Sequence, residues 1–446
     1  MALSNRAAAA LLFVGSFAAY NSNGREIASF DSQPTKLAAR ELLVHHTLAL
    51  NYAVGAAPEL ITRQGFVLAR DGRYRSAYSP VPALLSAAIA WPAWRLGIVD
   101  LQAPRAPALV AAVSASLLTS IAVVFAFLCA RQRLSLRRAM LLAIGFGLGT
   151  GLWSTASQTL WQHETAILGL SMAVYAFAAP HAVPSTRAAV VMGLGLGLAG
   201  TARPQTAVAI AVLLVGVVVR GGWRRGVVTT AIVGAFAAPL MIANLRWFGS
   251  ILGAAPGLEA LHETVHFTGP GSFHLQFNGL AGLLVAPSRG LFIFSPVTLL
   301  SILGVRAAAT EGWATPLRWC ALAAVAQYCL YGSYAAWWGG HTYGPRYMLD
   351  VLPLLVPLSA HGLTLVRGVT AKAIACAALS WSIGVAALGA FCYPNDRWNT
   401  EPMTVDRYHE RLWDWSDTQI LRCWHAGPSP QNFNLLARAS FRRDVR

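Results

Sequence analysis

Apolar runs of roughly 17–25 residues, the length that crosses a bilayer as a helix, recur along most of this 446-residue chain, and most end at arginine. Inside lipid no water is available for exposed backbone N–H and C=O groups, so runs of this kind fold as helices. Only 12% of the residues are charged and 56% are hydrophobic, against about 25% charged in soluble chains. The sequence therefore reads as an all-α polytopic membrane protein. Its formal net charge of +16 does not point to nucleic acid, because the basic residues form short clusters between apolar runs rather than one stripe.

The first run, 7–20, reads as a retained helix with a cytoplasmic N-terminus, since no small-residue cleavage site precedes Tyr20. Further runs fall near 107–130, 139–153, 166–179, 188–200, 207–219, 227–245, 291–305, 319–334, 352–366 and 371–391, giving about eleven transmembrane helices. Segment 83–94 is short for a crossing and reads as a re-entrant or juxtamembrane helix. If it crossed, the cluster from Arg131 to Arg138 would lie outside. If it does not, the inner connections hold Arg131, Arg133, Arg137, Arg138, Arg187, Arg220, Arg224, Arg225, Arg306, Arg318, Arg367 and Lys372 against one acid, Glu311, as positive-inside sorting requires.

The outer face then receives the loop 21–106, with an interfacial helix over 35–52 and a polar turn at 70–75. It also receives the connections 157–165, 202–205, 246–289 and 337–350, and a tail, 392–446, beyond a membrane domain of 1–391. Cys129, Cys320, Cys329 and Cys376 fall in or beside apolar runs and read as packing residues. Cys392 and Cys423 both fall outside, in an oxidising compartment, and are expected to form a disulfide.

Acids are scarce, so Glu26 and Asp31, just beyond the first helix, stand out. A carboxylate at a membrane boundary can take a proton from a hydroxyl nucleophile within hydrogen-bond reach; a solvated loop acid is the plainer reading. Gln158, Gln162 and His163 follow Trp153 in a segment suited to sugar hydroxyls or phosphate, or to interfacial capping. Arg203, Arg289 and Arg346 lie on the outer side, against the sorting rule, and so call for anionic partners. Guanidinium binds phosphate bidentately; for Arg346 the alternative is an ion pair with Asp350, one turn on. Glu41 and His45, four apart on one helical face, are weak metal candidates, and no third ligand is set by spacing. A divalent metal is possible but not expected. The absence of a Gly-rich phosphate loop before a helix speaks against a soluble nucleotide donor.

The strings around His163 (Ala156-Ser-Gln-Thr-Leu-Trp-Gln-His163), Arg203 (Ala202-Arg-Pro204), Arg289 (Ala286-Pro-Ser-Arg-Gly-Leu-Phe-Ile-Phe-Ser-Pro296) and Arg346 (Trp337-Trp-Gly-Gly-His-Thr-Tyr-Gly-Pro-Arg-Tyr347), together with the acid-bearing first outer loop, resemble the GT-C superfamily of integral-membrane glycosyltransferases. The likeness is strongest to the bacterial branch that uses phospholipid carriers, the family-39-like transferases, and extends over about residues 7–390. It implies Asp31 as catalytic base and a polyprenyl-phosphate sugar as donor. It also implies a glycan, lipid or protein as acceptor, and a site on the outer face of a bacterial cytoplasmic membrane. Members carry a Lys or Arg before a Pro-Pro element to touch the donor phosphate. Here the neighbourhood is Arg73-Tyr-Arg75-Ser-Ala-Tyr-Ser-Pro80-Val-Pro82, which leaves Arg75, Arg203 and Arg346 as candidates beside Arg289. Glu26, Gln158, Gln162, His163, His341 and Tyr343 are the candidate substrate-binding residues, Glu26 also as a support for Asp31 or a metal ligand. A lipid-linked-glycan transporter and a ligase or polymerase with pyrophosphate donors are the competing readings; a transporter would favour charges near mid-membrane and internal repeats.

Overall fold

The computed structural model describes residues 3–63, 65–179, 185–268 and 271–436. Helices α1 (Asn5–Tyr20), α5 (Ala106–Arg131), α6 (Leu136–Leu148), α7 (His163–Phe177), α8 (Thr186–Ala202), α9 (Ala207–Gly221) and α10 (Trp223–Phe248) form the first part of a bundle. α13 (Leu291–Phe294), α14 (Leu300–Thr310), α15 (Pro316–Gly332), α16 (Leu352–Leu365) and α17 (Gly368–Cys392) complete it. Each of the expected apolar runs thus has a helix. Among the described residues four helical stretches are long and apolar enough to cross a membrane: Ala106–Arg131, Pro204–Gly221, Trp223–Phe248 and Gly368–Cys392. Thr186–Ala202, Pro296–Thr310 and Leu352–Leu365 are shorter and equally apolar in character.

Small residues set the closest helix contacts. A Cβ at Gly169 of α7 would lie 2.5 Å from the Gly195 carbonyl of α8, and one at Gly195 would meet the Gly169 carbonyl at the same distance. Ala173 and Ala199 continue this seam one turn on, a small-xxx-small pattern that lets backbones touch where lipid supplies no hydrophobic drive. The seam fixes the start of α7 beside the end of α8, which places His163 near Arg203. α10 leaves most of its surface uncovered, with Val227, Met241 and Ile242 exposed, as suits a lipid-facing helix.

The loop after α1 carries α2 (Ser32–His45), α3 (Asn51–Ala56), a hairpin of β1 (Phe66–Leu68) and β2 (Tyr74–Ser76), and α4 (Val81–Arg95). The single interfacial helix expected over 35–52 is thus two. α2 stops because His46 turns left-handed, φ 53°, and returns its N–H to the Glu41 carbonyl. The polar turn at 70–75 is the reversal of an antiparallel pair, Phe66 opposite Ser76 and Leu68 opposite Tyr74, with Gly72 at positive φ. These six strand residues depart from the all-helix expectation, because Tyr74 and Phe66 bury against α2 and α3. α4 packs on α2 through Ala87, Ala90 and Leu43. α11 (Ala255–Val265) and α12 (Phe277–Val285) occupy the connection between α10 and α13.

The tail folds back onto the first loop. Phe433 and Leu435 donate their backbone N–H groups to the carbonyls of Asn23 and Gly24 at 2.8 and 2.9 Å, and Arg25 donates to the carbonyls of Ala390 and Tyr393. Cys392, ending α17, is bonded to Cys423 in α18 (Gln419–Ala426). The last ten residues of the expected tail, 437–446, lie outside the described residues. The bridge closes a loop with sequence separation 31, so replacing both cysteines by serine is expected to cost about 3–4 kcal/mol from loop entropy alone. Unfolding followed without reductant measures it; an unchanged midpoint would contradict it.

Candidate active site

Asp31 occupies the N-cap position of α2, yet its side chain makes no capping bond. An N-cap aspartate ordinarily accepts from the first turn; this one is turned elsewhere. Its Oδ1 accepts from Ser29 Oγ at 2.8 Å and its Oδ2 pairs with the Arg346 guanidinium. The loop that presents it is fixed at several points. Tyr20 donates to the Gly147 carbonyl at 3.0 Å, Ile27 N–H to the Gln158 carbonyl at 3.2 Å, and Glu26 is held by Lys36 at 2.7 Å and Thr159 at 2.6 Å.

Behind Arg346 runs a buried chain of charge. Arg346 Nε donates to His163 Nε2 at 3.2 Å, and its guanidinium lies 4.0 Å over the Trp161 ring. His163 Nδ1 meets Asp350 Oδ1 at 2.9 Å; with Nε2 accepting from Arg346, the network assigns the ring proton to Nδ1. Asp350 Oδ2 accepts from Arg203 Nε at 2.5 Å and from the Tyr331 hydroxyl. Tyr331 and Tyr347 flank the Arg203 guanidinium at 5.6 and 5.7 Å. Asp350 ends the turn Arg346–Asp350 that leads into α16, Arg203 closes α8 and His163 opens α7. With His163 neutral, two carboxylates balance two guanidiniums, as burial demands.

Burial raises the affinity of the Asp31 carboxyl for a proton, but the Arg346 charge and the hydrogen bonds outweigh it and hold the group well below the usual carboxylate range. Asp350 behaves alike: burial pushes it up, while Arg203 and then His163 pull it further down.

A cleft of about 480 Å³, within the usual range for ligand sites, lies between the hairpin, the end of α10 and α11; its lining residues are separate from this network. Phe66, Leu68, Phe248 and Leu261 give it apolar walls, and Arg63 and Arg70 stand at its edges. Arg63 also reaches Gln33 at 3.0 Å and sits 5.8 Å over the Phe30 ring, so the cleft borders the segment that carries Asp31. On α11, burial and then the His266 charge push the His262 imidazole down to about 4. A second, narrow crevice joins Ser29 and Trp161 to Thr155, His341, Tyr343 and Tyr393.

Several expected site residues have other work. Arg289 is fully buried and spends all five N–H groups: Nε on the Trp338 carbonyl, Nη1 on Ser288 and Gln419, Nη2 on Gly340 and Asn399. It staples the 338–340 segment to the tail and has no donor left for a phosphate. Arg203 is committed to Asp350, and Asp350 to Arg203 and His163 rather than to Arg346. Arg75 pairs with Asp71 at 2.5 Å and stacks on Trp247, 4.1 Å away, at the back of the cleft.

Gln158, expected at substrate, is buried, accepts from Asn23 and donates to the carbonyls of Tyr20 and Trp153. Tyr343 is buried with its hydroxyl on the Val385 carbonyl. Glu26 is a strut for the loop. Gln162 stands at the N-cap of α7, half-buried, with no capping bond. His341 is partly exposed, its Nε2 2.9 Å from Asp406 Oδ2. Glu41 is buried against Arg40 with His45 at 3.8 Å, and among the described residues no three His, Cys, Asp or Glu side chains gather to hold a metal. Sequence reasoning missed Ser29 and Tyr331, since a serine two residues before an acid and a tyrosine inside an apolar helix carry no distinguishing signal.

One tail acid is out of balance. Asp396 is 6% exposed and neither carboxylate oxygen has a hydrogen-bond partner. Burial pushes it up to about 6, against the opposing Arg289 charge. Its folded value lies above its unfolded one, so stability falls as pH rises from about 4 through about 6. Asp396→Asn is therefore expected to stabilise the chain at pH 8 by about 3 kcal/mol and hardly at all near pH 4. Thermal unfolding at both values checks this; a lower midpoint at pH 8 would contradict it.

No family model and no curated protein matches the sequence. Solved structures do. The oligosaccharyltransferase of Archaeoglobus fulgidus, in complex with Zn and sulfate, matches with a TM-score of 0.54 and 14% identity, over 94% of this chain and 58% of its own length. The archaeal oligosaccharyltransferase AglB from the same organism, in complex with an inhibitory peptide and a dolichol-phosphate, matches at 0.53 and 12%, over 92% of this chain and 60% of its own. ArnT from Cupriavidus metallidurans, bound to undecaprenyl phosphate, aligns at 0.49 and 14%, over 94% and 75%. This chain thus spans little more than half the length of the oligosaccharyltransferases whose architecture it shares. Its fold is that of these oligosaccharyltransferases, a helical membrane architecture.

Proposed function

We propose that this chain is a glycosyltransferase that moves a sugar from a polyprenyl-phosphate donor to a hydroxyl acceptor at the outer face of the cytoplasmic membrane. Asp31 is the general base and Arg346 the phosphate ligand. The observation that carries this reading is the Asp31–Arg346 pair itself, with Asp31 presented by a loop braced at several points. A carboxylate and a guanidinium side by side supply the two functions that a single displacement needs.

In that step the acceptor O–H bond breaks and its proton goes to Asp31. The acceptor oxygen bonds to the anomeric carbon, with inversion, as the bond from that carbon to the phosphate oxygen breaks. The electron pair leaves on the phosphate, whose charge Arg346 meets. The leaving group is a phosphate monoester, which departs without acid assistance, and this fits a site holding one accessible carboxylate rather than the two of a hydrolytic pair.

The cleft supports a lipid-borne donor: its apolar walls, Phe66, Leu68, Phe248 and Leu261, suit an isoprenoid chain, and Arg63 lies where headgroup charge would pass. The archaeal enzyme of the same fold was solved with a dolichol-phosphate, which agrees with that chemistry. His163, Asp350, Arg203 and Tyr331 act as the support that keeps Arg346 aimed. His341, beside Ser29 in the narrow crevice, is a contact for the acceptor. No step is routed through a metal, because the oxygens of Asp31 are met by Ser29 and Arg346.

Proteoliposomes holding the full chain and a radiolabelled polyprenyl-phosphate sugar test the reading. Label should pass to an acceptor with wild type and at least about 10²-fold more slowly with Asp31→Asn. Transfer by the variant at close to the wild-type rate would remove Asp31 from the chemistry.

A further inference from the structure

Two requirements of the mechanism conflict in this structure. Asp31 must be free to accept a proton, and Arg346 must be free to meet a phosphate, yet each occupies the other. The surroundings make the pair separable. Arg346 does not depend on Asp31 for its place, since His163 fixes its Nε and Trp161 covers its face. Its Nη1 donates to no protein atom among the described residues, so one donor of the fork is open. Asp31, for its part, keeps Ser29 when Arg346 is withdrawn, and a quarter of its side-chain surface is already exposed.

We propose that Asp31 and the donor phosphate compete for Arg346, so that arrival of the donor transfers the guanidinium to the phosphate and releases Asp31 as a base only then. This rests on the reading of the site given above and adds an order to it: the donor arms the base. The free enzyme holds a weak base locked in an ion pair. The donor complex holds a carboxylate that has lost its cation and gained an anionic neighbour, and both changes raise its proton affinity. The device keeps the site from activating a hydroxyl when no sugar is present to receive it.

The test is a double-mutant cycle on the full-length chain in detergent, with undecaprenyl phosphate as the probe and native mass spectrometry as the readout. Asp31→Asn, which removes the competitor while keeping the shape, should bind the lipid phosphate about tenfold more tightly, within the usual span of coupling between sites. Arg346→Gln should bind it more weakly. In the Arg346→Gln background, Asp31→Asn should change affinity less than about twofold.

An Asp31→Asn variant with unchanged or weaker affinity would overturn the exchange. So would equal tightening in both backgrounds, which would reveal general repulsion and no competition for Arg346. The outcome is separable from that of the proposed function: Asp31→Asn that abolishes transfer without tightening keeps Asp31 as base and removes the exchange, whereas retained transfer removes the base itself.

Wild-type kinetics give a second measurement that needs no variant. The kcat/KM for donor reports the free enzyme, and the kcat/KM for acceptor at saturating donor reports the donor complex. The acid limb of the acceptor profile should lie at least about one pH unit above that of the donor profile. Coincident limbs would contradict the exchange.

Discussion

Asp31→Asn is expected to lower sugar transfer by roughly 10²–10⁴-fold, the usual contribution of a general base, or about 3–5 kcal/mol of barrier. The loss should fall on kcat while donor binding tightens as argued above, because asparagine keeps the size of the side chain and can still bond Ser29 but no longer competes for Arg346. It cannot accept a proton from the acceptor. Some transfer should survive, since Arg346 still stabilises the departing phosphate and the site still holds both reactants. Steady-state rates across the acid range check this. A variant with wild-type kcat would show that the acceptor loses its proton elsewhere, and a variant with wild-type kcat and a raised KM would make Asp31 a binding residue.

Asp350→Asn is expected to have the largest effect on stability. Asp350 is fully buried and pairs with both Arg203 and His163 while accepting from Tyr331. Its removal leaves the Arg203 guanidinium buried without a counter-charge, a change that typically costs about 3–5 kcal/mol. Activity should fall as well, because His163 loses the acceptor that sets its ring proton and so the nitrogen that aims Arg346. The double variant Asp350→Asn with Arg203→Gln removes both charges and should recover a substantial part of the stability. Thermal unfolding of the three variants decides it. A double variant as unstable as the sum of the singles would mean that the two charges do not stabilise one another.

The helices were legible because lipid leaves an apolar run one choice, and arginine clusters mark where such runs stop. Asp31 stood out for a similar reason, as an acid in a chain that spends few, and its role as base belongs to the proposal above. The break between α2 and α3 was not, because it depends on His46 turning left-handed, which its sequence neighbours do not require. The charge chain was not legible either. His163, Arg203 and Asp350 are distant in sequence and meet only because the Gly169–Gly195 seam brings the ends of α7 and α8 together. Arg203, Arg289 and Arg346 looked equivalent, each an outer arginine in need of an anion. What separates them is burial and partners: Arg289 is saturated by five protein acceptors, Arg203 gives its Nε to Asp350 and Tyr331, and Arg346 is the one of the three that meets Asp31. Gln158 misled for the same reason, since an amide suited to sugar hydroxyls serves equally well to tie two loops together.

The most direct measurement for the account is turnover of a purified polyprenyl-phosphate sugar by the wild-type chain in liposomes, with product configuration read by NMR. The account predicts one polyprenyl phosphate released for each sugar transferred, and a product whose anomeric configuration is opposite to that of the donor. A product with retained configuration, or release of a polyprenyl pyrophosphate, would contradict it.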